Sequence, residues 1–181
     1  MGPMRSFDLI IVGSGSGNSL LTDEYRDLDV AIVEPGRFGG TCLNVGCIPT
    51  KMYVYPATVA DQARDAGRLG LDATVDGVDW PGMRDRIFGR IDAISEGGLD
   101  YRRSLENVTV IQEYVHFVEP RVLETDSGER ITAPRIVLAN GSRVHVPDVP
   151  GTDLPGVHTS DTVMRIPELP RDVVVVGGGY I

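Results

Sequence analysis

A short run rich in branched apolar residues, Phe7-Asp8-Leu9-Ile10-Ile11-Val12, leads straight into Gly13-Ser14-Gly15-Ser16-Gly17-Asn18. The run reads as a strand buried on both faces, the kind found in parallel sheets. The chain then reads as helical to about Tyr25, and Val30-Ala31-Ile32-Val33 forms a second strand that Glu34 ends. Strand, glycine-rich turn, helix and strand make a βαβ unit. Few patterns constrain a fold more, because parallel neighbours need a crossover and the crossover is right-handed. The glycines allow a tight turn and let a pyrophosphate approach the free N–H groups at the helix start. Glu34 follows the first glycine by about twenty residues, the spacing at which a carboxylate accepts hydrogen bonds from an adenosine ribose. The sixth turn position departs from the pattern: Asn18 stands where glycine would allow the closest helix–strand packing.

Cys42 and Cys47, the only two cysteines, lie shortly afterwards in Gly39-Gly40-Thr41-Cys42-Leu43-Asn44-Val45-Gly46-Cys47-Ile48-Pro49-Thr50-Lys51. Thiols at this spacing can close a small disulfide ring at little cost in chain entropy, so the ring can open and close repeatedly. The flanking glycines let backbone come near a flat ligand. A structural disulfide would need an oxidising compartment, and residues 1–6 carry no apolar core of a secretory signal. A zinc site would need further ligands, and His116, His145 and His158 are scattered. An inert pair is the remaining alternative to redox chemistry.

At 181 residues the chain is long enough for one domain with a proper core. No apolar run approaches the ~20 residues of a membrane span. A net charge of −9 argues against nucleic acid as a partner. Lys51 is the single lysine, which draws attention to its place inside the cysteine segment.

Further along, residues from about Gly46 to Arg68 read as a helix broken or bent near Pro49 and Pro56. Cys47 and Lys51 share a face of its first turns. A second helix is expected from about Asp79 to Tyr101, with Met83, Ile87, Ile91 and Ile94 as its core-facing stripe. Short strands are expected between Val108 and Asn140, with a hairpin turn at Asp126-Ser127-Gly128. Pro147, Pro150 and Pro155 punctuate an extended crossing. The last ten residues, Asp172 to Ile181, read as a new strand entering a new glycine-rich turn.

The segment Gly39 to Lys51 resembles the redox motif of the flavin-dependent pyridine nucleotide-disulfide reductases, among them glutathione, mercuric and mycothione reductases and lipoamide dehydrogenase. Arg135-Ile136-Val137-Leu138-Ala139-Asn140-Gly141 resembles the second FAD signature of that family, and Ser160-Asp161 its Ser-Asp pair. The resemblance covers essentially the whole chain but only the leading part of a family member, so a fragment is expected. It implies a Rossmann-like FAD/NAD(P)-binding α/β fold, with a parallel sheet, helices and a small antiparallel β-meander. Residues 1–171 would be the N-terminal portion of the FAD-binding domain, and 172–181 the first strand and glycine turn of the NAD(P)H-binding domain. FAD and NADPH are the implied cofactors. The residues assigned to them are Gly13, Ser14, Gly15, Ser16, Gly17, Asn18, Glu34, Gly40, Thr41, Cys42, Cys47, Lys51, Val115, Ala139, Asn140, Gly141, Gly177, Gly179 and Tyr180.

The resemblance also implies the chemistry. Cys42, Cys47 and Lys51 are the catalytic residues. Cys47 faces the flavin, Cys42 attacks a low-molecular-weight disulfide, and a helix start at Cys47 favours thiolate. Tyr180 would gate the nicotinamide side of the flavin. Asn18 and Thr50-Lys51 resemble the mycothione reductase branch, which makes mycothione the expected substrate. Dihydrolipoamide dehydrogenase is the alternative, as is a non-catalytic flavin-binding remnant. The parent is expected to be a cytoplasmic homodimer, paired through a C-terminal domain outside this sequence, with no nucleic-acid or membrane partner. The 181 residues alone are expected to be inactive.

Overall fold

The structure is a computed structural model that describes residues 4–179; of Asn18 the backbone alone is described. The elements in chain order are β1 (Arg5–Ser6), β2 (Leu9–Val12), β3 (Val30–Val33), α1 (Gly40–Asn44), α2 (Cys47–Asp65), α3 (Trp80–Arg103), β4 (Val108–Ile111), β5 (Val115–Glu119), β6 (Val122–Thr125), β7 (Arg130–Thr132) and β8 (Arg135–Leu138). One sheet has the order β4-β3-β2-β8 and is parallel throughout. The other has the order β1-β7-β6-β5, antiparallel except where β1 joins β7. This is the expected α/β architecture with its meander.

Alternation along the inner strands explains why they lack polar positions. Ile10, Ala31 and Val33 point into a cluster with Phe7, Leu123, Ile131 and Ala133 from the meander side. Leu9, Ile11, Val30 and Ile32 point the other way, toward Phe38 and Leu99. Side chains of a strand face opposite sides in turn, so a sheet covered on both faces must be apolar at every position.

Four expectations need correction. First, no α-helix follows the glycine turn. The chain makes two short 3-10 segments, Ser16–Leu20 and Asp23–Tyr25. Ser19 bonds its hydroxyl to the Ser16 carbonyl at 2.6 Å, the local competition that keeps serine- and glycine-rich stretches out of regular helix. Second, α2 runs unbroken through both prolines, and the separate helix α1 precedes it. Pro49 occupies the first turn, where an N–H has no intrahelical acceptor; Pro56 forfeits one bond inside a 19-residue helix. Third, the buried face of α3 is Ile87, Phe88, Ile91 and Ser95, whereas Ile94 is exposed. Fourth, Asp172 to Gly178 form no strand, and Val173, Val174, Val175 and Val176 are all exposed. A parallel strand exists only against a partner.

The stretch between β8 and Asp172 carries one 3-10 turn, Val163–Arg165, yet it is tied down. Arg165 forks onto Asp92 of α3 at 2.6 and 3.1 Å and lies over the Phe88 ring at 3.8 Å. Tyr53 of α2 donates to the Met164 carbonyl, and Trp80 of α3 to the Ile166 carbonyl. Asp92 also pairs with Arg37. Chiefly through its hydrogen bond from Arg165, the Asp92 carboxyl is held below its ordinary range. No helix among the described residues is long and apolar enough to cross a membrane.

Candidate active site

The loops that leave the carboxyl ends of β2, β3 and β8 converge, where ligands of open α/β sheets bind. Gly13, in the loop after β2, continues the ladder by donating to the Val33 carbonyl at 2.8 Å, and Ala139, after β8, donates to the Val12 carbonyl at 2.8 Å. Gly13 has φ of +111°, and a Cβ there would collide with the Ala139 carbonyl oxygen. A Cβ on Gly17 would collide with the Ala139 side chain. Gly17 thus lets the turn pass close against Ala139. Gly15 faces Gly40, whose Cβ would stand 2.6 Å from the Gly15 Cα.

Glu34 is bound into this cluster. Its Oε2 accepts the Ser14 N–H at 3.0 Å and the Ser14 hydroxyl at 2.7 Å, and its Oε1 accepts the Gly36 N–H at 3.0 Å. The Gly39 N–H donates to the Ser14 hydroxyl at 3.0 Å. A turn of bare glycine backbone beside a carboxylate fits the pyrophosphate and ribose of a dinucleotide. Because the following segment is 3-10, the donors offered to an anion are turn amides, not the end of an α-helix.

The segment from Gly39 to Lys51 is seated from below by buried polar groups whose part its sequence does not reveal. Asn44, at the end of α1, donates to the carbonyls of Phe38 at 2.9 Å and Gly40 at 3.0 Å. Ser95 of α3 donates to the same Phe38 carbonyl at 2.7 Å. Asn44 lies inside the motif; Ser95 has no sequence signal beyond its place on the buried face of α3.

Cys42 on α1 and Cys47, first residue of α2, are both exposed free thiols. The Cys42 thiol is held above its ordinary value, first by its hydrogen bond to the Cys47 side chain, then by slight local desolvation and by the Cys47 charge. The backbone N–H of Cys47 bonds to Cys42 and acts in the opposite sense, favouring thiolate. Lys51 is exposed on α2 one turn past Cys47, beside Thr50.

Not every expected residue joins this cluster. Val115 opens β5 opposite Thr125, and its side chain packs on the core between the sheets. Gly177 and Gly179 lie in the exposed last segment, where added Cβ atoms would meet nothing within 4 Å. Asn140 and Gly141 follow Ala139 and are exposed, as are Ser16 and Thr41. Tyr180 lies outside the described residues, and so does the side chain of Asn18. No group of three or more His, Cys, Asp or Glu among the described residues could hold a metal ion.

Residues 7–181 match the family described as pyridine nucleotide-disulphide oxidoreductase. The chain is 50% identical over 185 residues to mycothione reductase of Mycobacterium tuberculosis, covering 98% of this chain and 40% of that protein. It is 31% identical to glutathione reductase of Burkholderia cepacia, over 97% of this chain and 38% of the relative. Among solved structures, the HOCl-induced flavoprotein disulfide reductase RclA of Escherichia coli superposes with a TM-score of 0.75 at 26% identity, over 90% of this chain and 35% of that one. The chain thus spans about 40% of the length of the curated mycothione reductase it matches.

Proposed function

The chain belongs to the pyridine nucleotide-disulphide oxidoreductase family, and on that premise we propose that it is the N-terminal part of an FAD- and NADPH-dependent disulfide reductase acting on a small disulfide, mycothione first among candidates. The observation that carries the reading is the meeting of the glycine turn, Glu34 and the segment bearing the Cys42/Cys47 pair at the carboxyl ends of the parallel strands. Residues 1–171 belong to the FAD domain in this reading and 172–181 to the next domain. Half-identity to a mycothione reductase supports the substrate. Free thiols suit the reducing cytoplasm.

Gly13 to Gly17 would hold the pyrophosphate of FAD through backbone N–H groups, with Asn18 closing the turn and Glu34 accepting from the ribose. Gly40, Thr41, Val115 and Ala139 to Gly141 complete the FAD contacts, and Gly177, Gly179 and Tyr180 belong to the NADPH side. FAD, when bound, supplies reversible two-electron transfer. Lys51 holds a positive charge on the helix that begins at Cys47. The Cys42 thiolate attacks one sulfur of the substrate disulfide; that bond breaks, a mixed disulfide forms, and the departing thiolate takes a proton. The Cys47 thiolate then attacks the Cys42 sulfur, releasing the second thiol and leaving a Cys42–Cys47 disulfide. Two electrons pass from the dithiol to the substrate, and the sum balances.

The test is a steady-state assay of the full-length protein with NADPH against mycothione, glutathione disulfide and lipoamide. Mycothione should be preferred, and Cys42→Ser should abolish turnover. Preference for lipoamide would move the assignment to dihydrolipoamide dehydrogenase. Glu34→Ala should lower FAD occupancy after purification, since each charged hydrogen bond is worth about 1.5–3 kcal/mol. The exposed Val173 to Val176 run favours a lesser reading for the 181 residues by themselves: a flavin-binding piece without turnover. Disulfide-dependent NADPH oxidation by these residues alone would overturn that.

A further inference from the structure

Ser14 occupies the second position of the glycine turn and is 5% exposed. Its hydroxyl donates to Glu34 Oε2 at 2.7 Å and accepts from the Gly39 N–H at 3.0 Å, so one oxygen joins two loops. Gly39 is the N-cap of α1, with φ of +102° and no side chain to cap with. Helix α1 has five residues, too few for cooperative helix formation, so the peptide that enters it decides where Cys42 stands. Asn44 secures the far end of the helix; Ser14 secures the entry.

Glu34 offers about four acceptor positions on its two oxygens. The Ser14 N–H, the Ser14 hydroxyl and the Gly36 N–H engage three of its hydrogen bonds. A ribose diol donating twice therefore competes with the Ser14 hydroxyl. That hydroxyl is also the acceptor for Gly39, so its rotation is felt at the start of the redox helix.

We propose that Ser14 is a positioning residue that links ribose binding at Glu34 to the placement of Cys42. The inference rests on the reading of Glu34 as the ribose acceptor. A staple that merely held the loops together would give the same thiol reactivity with and without nucleotide. The coupling makes reactivity depend on ligand.

The experiment uses full-length protein freed of flavin, with the thiols reduced and ADP as the probe. ADP carries the ribose and pyrophosphate but no ring that could shield the thiols. Iodoacetamide alkylation of Cys42 is followed by peptide mass analysis with and without saturating ADP, and ADP affinity is measured by calorimetry. Saturating ADP should change the Cys42 rate about fivefold, the low end of ordinary coupling between sites. Ser14→Ala, held at an ADP concentration that saturates it, should lose the change, and Ser14→Thr, which keeps the hydroxyl, should restore it. A wild-type rate that ignores bound ADP overturns the proposal, and so does a Ser14→Ala protein that responds like wild type. Glu34→Gln separates the premise: if it binds ADP as tightly as wild type, the ribose reading itself falls. If it binds weakly and the wild-type rate ignores ADP, the coupling alone falls.

Discussion

Two apolar runs in this chain lead into glycine turns, and they meet opposite conditions. Leu9–Val12 is paired on both sides, and the turn after it is clasped by Ala139 and Gly40. Val173 to Val176 pair with nothing among the described residues, and no atom lies within 4 Å of a Cβ placed on Gly177. The leading glycines are alike in backbone, with φ of +111° at Gly13 and +118° at Gly177. Local sequence therefore sets the conformation of such a turn. Whether it becomes a site depends on the strands and loops that distant segments bring to it.

The sharpest way to break this comparison is to add the same methyl group to both turns. Gly13→Ala should cost about 3 kcal/mol or more in urea unfolding, from positive-φ strain plus a backbone collision. Gly177→Ala should cost about 1–2 kcal/mol at most, the positive-φ strain alone, because the added methyl meets no other atoms. Equal losses would mean that the second turn is as firmly seated as the first.

The strap at Arg165 marks the border between the two regions. Asp92→Asn should destabilise the protein by about 1 kcal/mol near neutral pH, a figure discounted for the partial exposure of the pair. The folded carboxyl of Asp92 is depressed, so its contribution is complete above the ordinary carboxylate value of about 4. It fades as pH falls through the lowered folded value. The gap between wild type and Asp92→Asn in urea melts should therefore close below about pH 4. A gap that widens in acid would invalidate the assignment.

A smaller effect sharpens the seated side. In Cys47→Ala the Cys42 thiol loses the hydrogen bond and the neighbouring charge that hold it up, while the backbone N–H of residue 47 remains. The alkylation profile of Cys42 should move to lower pH, with a severalfold faster rate near neutrality. A profile displaced upward would show that the Cys47 side chain does not hold the Cys42 thiol up.

The smallest effect belongs to the unseated run. Val174→Asp should leave the unfolding midpoint unchanged and reduce light scattering on concentration, because Val174 is 89% exposed within an apolar run. A lower midpoint would mean that the run packs somewhere in solution.

Much of this molecule is legible in its residues. The strand at Val30–Val33 and the Asp126-Ser127-Gly128 turn stand where branched residues and turn residues place them. The two long helices were visible as well, with their ends shifted by a residue or a few. The errors came where a local rule met a tertiary decision. The helix after Gly17 gave way to 3-10 turns, Pro56 did not break α2, and Ile94 turned outward while Ser95 turned in to hold the Phe38 carbonyl.

By itself the sequence determined the two leading parallel strands, the glycine turn with its acidic partner and the placing of two cysteines in one short segment. These depend on residue type and near-neighbour spacing. Tertiary structure decided that Ser14 joins Glu34 to Gly39 and that Gly17 makes a close approach to Ala139. It also left the second valine run without a sheet. The physical reason is common to all of these: a hydrogen bond, a steric contact or a strand pair is a property of two segments, and the chain reads out only one at a time.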